Sequence, residues 1–219
     1  MKSLPPDASV MPWLYWTIFP VHRIVLSFYF GQIMVQGSEN LPEFGPVVLA
    51  PKHFSRWDPL VISLLSTEPL RFMTNANQFE GFQGWLIQRL GAFPVDLNHP
   101  TVSTMRCAIE LLQAGKKLVM FPEGGIVRDQ PLRPLKTGLA RLVLQAEAKI
   151  PEGIEIPIVP IAIRYDPGAT GCANILINIG SPLYSHEYRQ ENDKQTAVAL
   201  TQALQNSLLK GLESINASG

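Results

Sequence analysis

Three short apolar runs, each closing on a polar residue, constrain this chain more than anything else in it. They are residues 46–50 ahead of Lys52-His53, 91–95 ahead of Asp96, and 118–122 ahead of Glu123. Each is short, β-prone and apolar without alternation, the pattern of a strand buried on both faces. Such strands belong to parallel sheets joined by helical crossovers, and helical stripes lie between them. Val102, Met105, Ile109 and Leu112 repeat at helical spacing, predicting a helix over 101–113 that Gly115 ends. Leu135, Leu139, Leu142, Val143 and Ala146 form a second stripe, and residues 79–90 and 196–212 read as further helices. Residues 70–74, 156–164 and 174–179 read as strands. The expected fold is therefore α/β, a single domain with a mostly parallel central sheet flanked by helices. At 219 residues and 46% apolar the chain can bury one sizeable core, with no repeat or linker to mark a second. In such a sheet His53, Asp96 and Glu123 emerge at one edge, where α/β proteins bind ligands.

His53 and Asp58 give that edge a chemistry. An imidazole with a carboxylate on its far nitrogen takes a proton from a hydroxyl, and the carboxylate stabilises the imidazolium that forms. On a continuous helix the two side chains would diverge by about 140°. They meet only if the segment bends, and Asp58-Pro59 reads as a helix start, with Asp at the N-cap and Pro at the first helical position. No nucleophile is built in: there is no Gly-x-Ser-x-Gly elbow, and neither Cys107 nor Cys172 has a His or Asp beside it. The alcohol to be activated is then a substrate. Asp58 also has a duller reading as a helix cap alone, and Glu123 as a carboxylate that holds its turn through backbone amides. Asp96 reads as structural, and Arg128, Arg133 and Lys136 as either a solvated face or an anion contact.

A net charge of zero argues against nucleic acid as a partner. Two distant cysteines without Cys-x-x-Cys spacing give neither a zinc site nor a disulfide framework. The amino terminus has only Lys2 ahead of Pro5-Pro6 and no apolar region with a cleavage site, so no secretory signal is expected. Membrane contact is expected at residues 1–36. Residues 13–19 and 24–30 are aromatic and apolar, separated by Pro20, His22 and Arg23. That interruption rules out a clean span of about 20 apolar residues. It predicts two short amphipathic helices in one leaflet, with Trp13, Trp16 and Tyr29 at headgroup level. Residues 37–212 would form the globular domain and 213–219 a flexible tail.

Four blocks together resemble the glycerolipid acyltransferases of the 1-acylglycerol-3-phosphate (lysophosphatidic acid) acyltransferase type. His53 to Asp58 resembles the family's His-x-x-x-x-Asp motif. Gly91 to Asp96 resembles its block of Gly, apolar residues and Asp-Arg. Phe121-Pro122-Glu123-Gly124 matches its Phe-Pro-Glu-Gly motif, and Ile156-Pro157-Ile158-Val159-Pro160 resembles its late apolar strand. Order and separation agree from about residue 35 to 180. The resemblance implies an enzyme that moves a fatty acyl group from acyl-CoA or acyl carrier protein to a hydroxyl of lysophosphatidic acid. His53 would be the general base and Asp58 its partner. Glu123, Gly124, Gly125, Arg128, Arg56 and Lys136 would lie at the substrate, and the amides around Gly124 and Gly125 or in the 53–58 loop at the oxyanion. It implies no metal or other cofactor and a monotopic, membrane-associated protein on the cytoplasmic face.

Two departures bear on the acceptor. The family's arginine after Asp96 is replaced by Leu97, followed by Asn98 and His99. The Thr-Arg-Ser after the third block is replaced by Gly125, Ile126 and Val127, with Arg128 the next cation. A phosphate dianion favours bidentate guanidinium, so these losses point either to a relocated phosphate contact or to another acceptor, such as glycerol 3-phosphate or a non-phosphate lysolipid. A catalytically silent lipid-binding protein is the remaining alternative.

Overall fold

The computed structural model describes residues 10–96, 102–151 and 153–217. The central strand is β2 (Val47–Pro51), with every residue buried. Its side chains alternate between two cores: Val48 and Ala50 pack on one face of the sheet, Val47 and Leu49 on the other. Burial on both faces is why the run reads as continuously apolar. Around it stand β1 (Ile33–Gln36), β3 (Arg71–Asn75), β4 (Ala92–Val95), β5 (Lys117–Val119), β6 (Ile158–Asp166) and β7 (Asn174–Ile179). The seven strands have the order β1-β7-β6-β2-β5-β3-β4. The five from β6 to β4 are parallel. β7 runs antiparallel to β6 and carries β1 beside it in parallel. The edge strand β1 has no counterpart in the sequence reading, because four residues next to an aromatic segment show no period of their own.

Helices cover both faces. On one side α4 (Val102–Gln113), α5 (Gly138–Glu147) and α6 (Asp193–Ala217) bring Leu112, Leu142 and Leu204 onto Val48, Leu118 and Ile158. On the other, α1 (Pro12–Tyr29) and α2 (Asp58–Ser63) bring Leu26, Phe30, Val61 and Ile62 onto Val47, Leu49 and Ile161. α3 (Gly81–Arg89) connects β3 to β4. The parallel strands β2, β4 and β5 deliver His53, Asp96 and the 121–124 turn to one edge, as the pattern of runs requires.

Three expectations are corrected. The aromatic segment is one helix rather than two, with Pro20 inside it. Proline removes one hydrogen bond and crowds the preceding turn. Here its ring faces solvent, while Leu14, Tyr15 and Leu26 are buried and His22 Nε2 lies 3.0 Å from Leu60 O, so tertiary contacts on both sides hold the helix through it. Burial is the main cause that lowers the His22 pKa, and the neutral ring donates from Nε2 to that carbonyl. No helix among the described residues is long and apolar enough to cross a membrane.

Secondly, residues 213–217 are not a tail but the last turns of α6. Ile215 is buried with Ala162 and Leu176, and Arg164 donates to Asn216 Oδ1 at 2.8 Å. Gly211 permits this approach, since a Cβ there would stand 3.0 Å from that of Ala162. Thirdly, Asp58 is the first residue of α2 and not its N-cap; Trp57 precedes it with helical dihedrals, and no side chain caps the helix. The Leu97 to His99 departure lies outside the described residues.

Ending the chain after Leu212 should therefore destabilise the domain, and Ile215→Ala alone should cost about 2–4 kcal/mol. Urea unfolding of both variants against the full chain checks it; a frayed tail would leave the midpoint unchanged.

Candidate active site

After β2 the chain turns away from the sheet, and Asp58 decides the shape of that turn. Its side chain is fully buried and points backward. Oδ2 accepts from the amides of Phe54 at 2.6 Å and Ser55 at 2.8 Å, and pairs with His53 Nδ1 at 2.8 Å. Oδ1 accepts from the Tyr165 hydroxyl at 2.8 Å. An acceptor carboxylate assigns the Nδ1–H tautomer to a neutral His53, leaving a lone pair on Nε2. The ring is 17% exposed and stacks on Phe121, centroids 4.0 Å apart, and no hydrogen bond to Nε2 exists among the described residues. Nε2 is thus the basic atom open to a ligand.

Tyr165 was not singled out in the sequence. Burial, with the Asp58 carboxylate adding to it, pushes its pKa far up, so the phenol stays a hydrogen-bond donor. A signal exists in retrospect: Ile161, Ile163 and Tyr165 share the α1 face of β6, and a hydroxyl on a buried strand needs a partner. The strand expected over 156–164 stops one residue short of it.

Glu123 is buried, and both its oxygens are committed within the protein. Lys52 Nζ stands 3.1 Å from each, the His53 amide donates to Oε1 at 2.9 Å, and the Arg133 amide donates to Oε2 at 3.0 Å. Lys52 also donates to Val127 O at 2.9 Å, and the Val127 amide to His53 O at 2.9 Å. Of the two readings of Glu123, this geometry is that of the carboxylate holding its turn. Lys52 is the second residue the sequence reading missed. A lysine next to a buried strand requires an anionic partner, and Glu123 supplies it.

The remaining candidates lie around the front of this frame. Gly124 takes the left-handed conformation at φ +71°, but its amide is spent on Phe121 O at 3.1 Å. Gly125 does not need positive φ; its amide makes no hydrogen bond among the described residues, and a Cβ there would meet nothing within 4 Å. The amides of Phe54, Ser55 and Trp57 are likewise spent, on Asp58 and on Ser55 Oγ. Of the amides proposed for an oxyanion, those of Gly125 and Arg56 make no hydrogen bond among the described residues. Arg128 is exposed, yet its Nε donates to Phe54 O at 3.0 Å, which ties it to the His53 loop. Lys136 is exposed, with Nζ 3.5 Å from where a Gly124 Cβ would stand. Arg56 and Arg133 are exposed, and Asp96 is exposed at the end of β4.

The family model described as Acyltransferase matches residues 32–164, more than half of the chain and every residue of this site but Tyr165. The chain belongs to the acyltransferase family. Among curated relatives, the 1-acyl-sn-glycerol-3-phosphate acyltransferase of Bacillus subtilis (strain 168) is 28% identical over 199 residues, covering 87% of this chain and 92% of its own. The protein of the same name from Borreliella burgdorferi is 24% identical over 200 residues, covering 84% and 73%. The crystal structure of the 1-acyl-sn-glycerophosphate (LPA) acyltransferase PlsC from Thermotoga maritima superposes with a TM-score of 0.71 at 19% identity, over 94% of this chain and 82% of that one. That likeness shows the α/β fold, and the family makes this acyltransferase an enzyme.

The Lys52–Glu123 pair gives the site its testable energetics. Lys52→Met leaves a buried carboxylate without its counter-charge and should destabilise the acyltransferase by about 3–5 kcal/mol. Adding Glu123→Gln should recover part of that loss in a double-mutant cycle by urea unfolding, whereas independent, additive costs would show that the pair does not hold the turn.

Proposed function

We propose that this acyltransferase moves a fatty acyl group from a thioester, on coenzyme A or acyl carrier protein, to the free hydroxyl of 1-acyl-sn-glycerol 3-phosphate. The observation that carries it is His53, with Nδ1 held by buried Asp58 and Nε2 open at the sheet edge. The names of the curated relatives support the acceptor.

In the proposed reaction Nε2 takes the hydroxyl proton as the acceptor oxygen attacks the thioester carbonyl. The imidazolium is stabilised by Asp58, and the unspent amide of Gly125, or that of Arg56 in the His53 loop, is the proposed donor to the tetrahedral oxyanion. Collapse breaks the carbon–sulfur bond; the thiolate leaves and takes the proton back from His53. No group is oxidised or reduced, nothing covalent forms on the enzyme, and no cofactor beyond the donor thioester is required. Arg128 is the proposed acceptor-phosphate contact, with Lys136 and Arg56 as further cations. The exposed Trp13, Trp16, Ile24, Val25 and Phe28 of α1 support a monotopic seat in one leaflet.

The second reading, an acceptor without a glycerol phosphate, is favoured by one observation: no arginine follows Asp96, and of the cations near His53, Lys52 is committed to Glu123 and Arg128 to Phe54 O. Purified protein offered both donors against lysophosphatidic acid, glycerol 3-phosphate and a non-phosphate lysolipid separates the two. Product from lysophosphatidic acid is expected, with none from a folded His53→Ala protein. Turnover only with the non-phosphate lysolipid would overturn the acceptor, and an equally active His53→Ala protein would overturn the mechanism. Asp58→Asn should lower kcat by about 10²–10⁴-fold through loss of the Nδ1–H tautomer. Arg128→Gln should raise KM for lysophosphatidic acid about tenfold or more with a smaller effect on kcat, as loss of one charged hydrogen bond predicts.

A further inference from the structure

α3 carries a surface that neither the sheet nor the active site uses. Phe82 and Trp85, three residues apart, stack with centroids 5.5 Å apart yet are 76% and 41% exposed. One turn on, the Arg89 guanidinium lies 4.3 Å from the Trp85 ring centre. The end of α3 adjoins the start of α1: the Met11 amide donates to Arg89 O at 2.9 Å, and Trp13 and Trp16 follow, 66% and 53% exposed. The junction is tight, since a Cβ on Gly91 would come within 3.2 Å of Val10 and 3.4 Å of Arg71.

Charge agrees with the aromatics. Neither α1 nor α3 contains an Asp or Glu, although the chain has 18. Their formal positive charges are Arg23 and Arg89, and buried Arg71 at the junction forms no ion pair among the described residues. Glu68 acts on Arg71 from a distance, and Glu80 precedes α3; both are exposed. Aromatic rings beside arginines that can snorkel, on two helices without carboxylates of their own, match the headgroup layer of an anionic bilayer. An acidic protein partner would be matched by more cations and fewer rings than these two helices offer.

We propose that the Phe82–Trp85–Arg89 face of α3 is a second bilayer contact, continuous with α1, that takes the headgroup and upper acyl layer of an anionic leaflet. It rests on the reading of α1 as the membrane seat. A single seated helix leaves the domain free to roll about the helix axis; contact through α3 fixes that roll and with it the direction in which the His53 edge faces.

The test is sedimentation of the full-length protein with phosphatidylglycerol and phosphatidylcholine vesicles. Because these side chains are exposed, the double variant Phe82→Ser, Trp85→Ser should keep the melting temperature and the circular dichroism of the parent. Its partitioning should fall about tenfold, as returning the buried part of two rings to water predicts. Arg89→Gln should weaken binding to phosphatidylglycerol and leave phosphatidylcholine unchanged; a variant that binds phosphatidylglycerol as tightly as the parent would overturn the anionic assignment. If Trp13→Ser, Trp16→Ser loses binding while the α3 pair binds as the parent does, the α3 contact is overturned and the α1 seat stands. If neither pair changes binding, both are overturned.

Discussion

The buried carboxylate of Asp58 is the interaction on which the rest of the site depends. A carboxylate out of water is tolerated only with its oxygens satisfied, and here four donors do so. They come from three places: the His53 ring, the Phe54 and Ser55 amides, and Tyr165, which lies on β6 more than a hundred residues away. One side chain thereby bends the loop after β2, starts α2 and orients the imidazole. Glu123 repeats the arrangement one strand over. It ties the His53 amide, the Lys52 ammonium and the Arg133 amide into a second buried knot. The His53 loop is held from below by one carboxylate and from the side by another, so the imidazole is fixed before any ligand arrives.

The aromatic packing joins this frame to the amino-terminal helix. Trp57, between His53 and Asp58 on one side and α1 on the other, lies 4.7 Å from Tyr29 and 5.4 Å from Phe30 by ring centres. Phe30 and Phe54 both pack on Tyr165. The helix that exposes its outer face to a lipid surface in our proposal therefore packs its inner face directly on the loop that holds the proposed base. In that proposal, seating and chemistry share one set of side chains.

Much of this was legible in the sequence because it is written in local periods. The unalternating runs 46–50 and 91–95 could only be doubly buried strands, and their parallel order followed from the helical stripes between them. The pairing of His53 with Asp58 was legible from spacing and from the four blocks. What stayed hidden needed long-range geometry. Tyr165 and Lys52 acquire meaning only from partners 107 and 71 residues away. The Asp58-Pro59 pair has the composition of a helix cap, but a tertiary hydrogen-bond set turns the carboxylate backward. Residues 213–217 look polar and small, yet Ile215 finds a pocket between β6 and β7 that no local pattern announces. Pro20 suggests a break, and packing on both sides of it carries the helix through.

Asp58 holds His53 as an Nδ1–H imidazole and leaves Nε2 without a hydrogen bond among the described residues. Nitrogen-15 spectra of selectively labelled His53 in the resting protein test it most directly. A protonated, pyrrole-type Nδ1 and a pyridine-type Nε2 are expected, with that assignment lost on Asp58→Asn. A resting tautomer with the proton on Nε2, unchanged by that substitution, would contradict it.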